Sequence, residues 1–189
     1  MKQAGALAIA AVAALSLTVG AQTNVAGERF TALAVNMTNG GSGTVEMVVN
    51  RWSTEAERDR LVSVLMKQGP EKLLDVLEEM PRVGYIRSAG GLGYDLHYAQ
   101  RTAEPDGGER VVLATNRPID FWEAANSPRS IQYPFTVIEL HLNAQGEGEG
   151  KLSLATRITG DEESKIVTLE NYDTQPVLLR SVKGVPLGR

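Results

Sequence analysis

Alternation with a period of two, interrupted at short intervals by glycine-rich turns, is the feature that most constrains this chain. Phe30 to Met37 and Thr44 to Trp52 flank the turn signal Thr38-Asn39-Gly40-Gly41-Ser42-Gly43. In the second run Val45, Met47 and Val49 share one side while Thr44, Glu46 and Asn50 share the other, as a half-buried strand requires. Val83 to Arg87, Gly93 to Arg101 and Arg110 to Thr115 are further strand candidates, and Glu104-Pro105-Asp106-Gly107-Gly108 reads as the turn between the last two. Tyr133 to Leu142 and Lys151 to Thr159 predict the clearest hairpin. Ile138, Leu140 and Leu142 share a face of its first arm, and Leu152, Leu154 and Ile158 share a face of its second.

Gly146-Glu147-Gly148-Glu149-Gly150-Lys151, between those arms, is expected to be a flexible tip. Its glycine spacing is one residue short of a phosphate loop, Leu152 stands where a Ser or Thr is needed, and two glutamates repel phosphate. Beyond Gly160 the chain turns into Ile166 to Tyr172. Pro176 to Val182 is expected as a last edge strand, with a flexible C-terminal tail from Gly184.

Helical spacing occurs in one block. Thr54 with Glu57 forms a capping box, and Leu61, Val64 and Leu65 follow at helical intervals. Gly69-Pro70 ends that helix and can begin another, whose stripe is Leu73, Leu74, Leu77 and Met80, stopped by Pro81. Helices that cluster instead of alternating with strands argue against a parallel sheet built of βαβ units. The expected fold is α+β: a predominantly antiparallel curved β-sheet or open barrel with an inserted two-helix hairpin.

The first 21 residues have the layout of a secretory signal peptide: Lys2, an apolar Ala6 to Val19, and small residues at Val19-Gly20-Ala21. Residues 22–189 are then a single exported domain, periplasmic or extracellular. Without Lys2 the mature chain carries 18 basic and 23 acidic side chains, a net charge of −5, with no basic run. That balance argues against nucleic acid and anionic membranes as partners. Cysteine is absent, which excludes disulfides, thiol nucleophiles and cysteine-held metals or haem. No mature segment approaches the length of a transmembrane helix, and no cofactor is expected.

The connection Asn116 to Ile131 has no strand pattern, yet it carries Ile119, Phe121 and Trp122, with Tyr133 close behind. Irregular segments of this kind are often binding loops, and aromatics beside an arginine stack on flat ligands. Phe121, Trp122, Arg129 and Tyr133 are therefore the expected ligand-binding residues, against the plainer reading that the aromatics plug one end of the sheet. The expected partner is a small apolar or aromatic ligand, or an envelope protein. Asp95 with His97, and Glu139 with His141, each lie two apart on a strand, and neighbouring strands would converge them into a metal-binding set. Such spacing is usually ordinary polar alternation, so no metal site is assigned. Asp120 and Glu123 are the first candidates for a carboxylate pair.

No catalytic motif is present, and no catalytic residue is assigned. The leading expectation is a non-catalytic exported domain that binds a ligand or an envelope component. The alternatives are an envelope hydrolase or metal-dependent enzyme using His97 or His141 with carboxylates, and a structural assembly subunit pairing through a strand edge.

Overall fold

β1 (Glu28–Asn36) and β2 (Ser42–Val49) form the first antiparallel pair, with Phe30 opposite Met47. A computed structural model describes residues 26–36, 41–69, 71–117, 119, 135–153, 156–161, 166–171 and 177–188. After β2 come the helices α1 (Glu55–Gln68) and α2 (Glu71–Glu79). β3 (Gly84–Ser88), β4 (Gly93–Ala103), β5 (Glu109–Thr115), β6 (Val137–Leu142) and β7 (Glu147–Ser153) then follow, each paired antiparallel with the strand before it. β8 (Thr156–Asp161) and β9 (Ile166–Asn171) form a separate two-stranded sheet. β10 (Val177–Pro186) returns to pair with β7 on one side and β1 on the other, closing an eight-stranded barrel.

The sheet is therefore closed, where an edge strand and a loose tail were expected. Gly184, Val185 and Pro186 belong to β10, and Leu187 N–H donates to Gly27 O at 2.8 Å. A closed sheet leaves no unpaired edge among the barrel strands. Two irregularities shape the closure. Ser181, at φ 51°, is an extra residue in β10 relative to both β1 and β7. A second register shift lies between Leu96 and Tyr98 of β4. Such bulges bend a strand and increase its twist.

The hairpin arm expected over Lys151 to Thr159 is two strands, because β7 ends at Ser153 and β8 starts at Thr156. The glycine run expected as a tip lies within β7 except for Gly146. Gly148 and Gly150 face inward, opposite Leu142 and Leu140. A Cβ on Gly148 would lie 1.9 Å from His141 O, so only glycine lets the two backbones approach this closely.

Two apolar cores result. The first fills the barrel with the inward face of each strand, including Phe30, Met47, Ile86, Leu96, Leu113, Ile138, Leu140, Leu152 and Leu179, all 0% exposed. Eight strands enclose a space that side chains can fill, and here they do. The second core lies outside the wall. Leu61, Leu65, Leu73, Leu77 and Met80 of the helical block pack against Tyr98, Ala114 and Val137. The capping box starts α1 as the sequence predicts, with Thr54 accepting from Glu57 N–H and Glu57 accepting from Thr54 N–H. A cap of this kind is worth about 1 kcal/mol.

Elsewhere the outer wall is charged and cross-linked. Glu46 takes Arg29 and Arg87, Glu139 takes Arg110 and Lys151, and Arg180 and Lys183 pair with Glu149 and Glu147. Membrane-spanning barrels are apolar outside and polar within. This barrel has the opposite polarity, and among the described residues no helix is long and apolar enough to cross a membrane.

Candidate functional site at one barrel mouth

Each end of the barrel is marked by an aromatic ring under a guanidinium. At the first, Arg101 lies over Trp52 at 4.7 Å; at the second, Arg117 lies over Tyr94 at 5.2 Å. The two ends otherwise differ in chemistry.

Among the described residues, the groups buried at the second end are apolar or neutral. Ile119 is fully buried in the barrel core, and its N–H donates to Thr136 Oγ1 at 3.2 Å. Thr136 N–H donates to Thr115 Oγ1 at 2.9 Å, and both threonines are fully buried. The long connection after β5 thus begins by inserting an isoleucine into the barrel. Phe121, Trp122, Arg129 and Tyr133, with Asp120 and Glu123, lie outside the described residues.

The first end keeps charges inside. Glu28 opens β1 on the same face as Phe30, and it is 8% exposed. Arg101 is opposite the inward Val111, and Glu109 is opposite the inward Leu142, so both project into the same mouth. One Arg101 nitrogen reaches Glu28 at 3.4 Å and Glu109 at 3.5 Å. Gly184 makes room for this group, since a Cβ there would meet Glu28 Oε1 at 2.6 Å. Burial pushes the Glu28 carboxyl above the usual carboxylate range. Repulsion from Glu109 adds to the rise, and Arg101 opposes it in part.

Trp52 is held in place by its neighbour. Ser53 N–H donates to Ala99 O at 2.7 Å, and Ala99 N–H donates to Ser53 Oγ at 3.1 Å, which ties the chain after β2 to β4. Among the described residues, Trp52 Nε1 is the buried side-chain polar atom left without a hydrogen-bond partner. Beside this group an open cleft of about 530 Å3 separates the β4–β5 turn from the β6–β7 turn. Its walls are Arg101 and Glu109, the small residues Ala103, Gly107, Gly108, Ala144 and Gly146, and Asn143. Asn143 Oδ1 is engaged in its own turn, where it accepts from Gln145 and Glu147 N–H.

The histidines do not converge. β5 separates β4 from β6, and His97 lies at the Thr115 end of its strand while His141 lies opposite Arg110. His97 Nδ1 is 2.7 Å from Met80 O and ties β4 to the end of α2. His141 is on the outer wall beside Glu104 and Glu139, at 3.1 and 3.4 Å. Asp95 is paired with Arg82 at 2.7 Å. Among the described residues no group of three or more histidines and carboxylates is arranged to hold a metal ion.

Neither Glu28 nor Arg101 stands out in the sequence by type. The signal that carries Glu28 is phase, because it falls in step with Phe30, Ala32 and Ala34 on a buried face. Arg101 has no such readable phase. Counting by twos from Leu96 gives Tyr98 and Gln100, but the bulge shifts the inward set to Ala99 and Arg101.

An eight-stranded, up-and-down antiparallel barrel with a filled interior and a charged group at the Glu28 mouth is the class that fold and site define. None of the protein-family models, curated proteins or solved structures compared with the chain matches it.

Proposed function

We propose that the protein is a non-catalytic exported domain that binds a small polar ligand at the Trp52–Arg101 mouth. The observation that carries this reading is the Glu28–Arg101–Glu109 group, set partly buried at the end of an otherwise apolar barrel and beside an open cleft. Holding a buried and a half-buried carboxylate against one guanidinium opposes folding, and such arrangements concentrate at functional sites. The filled interior favours a ligand held at the mouth over one enclosed in the barrel. The charged pair Arg101 and Glu109 on the cleft wall favours a polar ligand over the apolar one suggested by the loop aromatics. Export is supported by the charge and apolar layout of the first 21 residues.

Native mass spectrometry of the protein purified from the envelope of its own host tests this reading. The expected result is a chain beginning at Gln22 that carries a small non-protein adduct, with the adduct lost in Arg101→Met. An adduct retained in Arg101→Met, or a protein found free of ligand in its host, would overturn the mouth as the binding site.

A further inference from the structure

We infer that the mouth recognises its ligand through a protonated primary amine, which seats against the Glu109 carboxylate beside Arg101. The inference rests on the mouth being a ligand site, and it names the chemistry that site selects.

The argument begins with the ratio of charges. On the outer wall each central carboxylate has two cations: Glu46 has Arg29 and Arg87, and Glu139 has Arg110 and Lys151. At the mouth, among the described residues, the ratio is inverted, and one guanidinium serves Glu28 and Glu109. The mouth pairs are also long, although Arg29–Glu46 on the outer wall is longer still at 3.7 Å. Arg101 stands 3.4 and 3.5 Å from its two carboxylates, whereas Arg110–Glu139, Arg82–Asp95 and Arg51–Glu57 close to 2.6, 2.7 and 2.8 Å. Charge-assisted hydrogen bonds normally fall near the shorter values. Arg101 is also committed to the face of Trp52, so moving toward either carboxylate means leaving the ring.

The mouth therefore has more acceptor capacity than donors, and Glu109 presents that excess to the cleft. An ammonium group supplies the missing positive charge and relieves the repulsion between Glu109 and Glu28. An anion would meet a guanidinium already bracketed by two carboxylates. The cleft matches a small molecule in size, and its glycine-lined turns bring backbone close to the body of the ligand.

Amide NMR spectra of the mature protein at about pH 6.5, where simple amines are protonated, provide the test. Two bodies are titrated, glucosamine and alaninamide, each beside its N-acetylated form. The expected result is that at least one free amine shifts the amides of Gly107, Gly108 and Gly146 at millimolar concentration while its acetylated form does not. Which amine binds more tightly then identifies the ligand as an amino sugar or an amino-acid derivative. Glu109→Gln is expected to weaken that binding about tenfold, and Glu28→Gln is expected to weaken it less. Equal shifts from amine and acetylated forms would overturn the ammonium assignment while leaving the mouth a binding site. An absence of shifts from every probe would overturn the ammonium assignment, and the host-purified adduct would then decide separately whether the mouth binds at all. Undiminished binding in both folded variants would also overturn it.

Discussion

Ionising Glu28 opposes folding, because its carboxylate is largely out of water and faces Glu109 as well as Arg101. A carboxyl whose folded pKa lies above its unfolded value contributes stability at low pH and loses it as pH rises through the folded pKa. Glu28→Gln copies the protonated form. At neutral pH it is expected to melt at a higher temperature than the wild type, with the gap closing as pH falls into the ordinary carboxylate range. Thermal melts across pH check this, and a variant less stable than wild type at neutral pH would contradict it. Glu139 has the opposite sign. Burial raises its pKa, but Lys151 and Arg110 more than offset that, so its net shift is downward and its contribution is lost on acidification. These two glutamates look alike in the chain. Phase separates them, since Glu28 falls on the inward face and Glu139 on the outward one, but the number of cations around each comes from strands distant in sequence.

The elements differ in how far their own residues announce them. α1 is legible because its capping box, apolar spacing and terminal Gly69 all agree, and Gly69 adopts the left-handed φ of 83° that suits a helix end. β7 is not, because glycines at alternate positions resemble a turn. Their inward placement against β6 becomes intelligible only once the register is known. Gly148→Ala is accordingly expected to cost about 3 kcal/mol, since the new Cβ would strike His141 O and the two strands would have to part. Urea denaturation measures this directly, and a loss below about 1 kcal/mol, the typical single-mutation effect, would show that β7 can move aside. β4 is a mixed case. Its strand character is plain from alternation, but the shift between Leu96 and Tyr98 turns both His97 and Tyr98 toward the helices and brings Arg101 into the barrel.

For the whole molecule, antiparallel pairing of successive strands follows from short turns and clustered helices, whereas closure does not. β10 loses its alternation at Ser181, so in sequence it looks as though it ends at Val182. Its pairing with β1 joins the two ends of the described chain, and no local pattern reports such a contact. A chain truncated before Val177 is expected to lose cooperative unfolding and its near-ultraviolet circular dichroism; retention of both would mean that seven strands suffice. The same seam sets an order in time. Successive hairpins can form as soon as each is synthesised, since their contacts are local and quick to find. The second edge of β1 must wait for β10, and until β10 arrives the growing ribbon has two open edges, on β1 and β7. Anything that withholds β10 alone therefore leaves the barrel unlocked, and its release is the step that commits the wall to close.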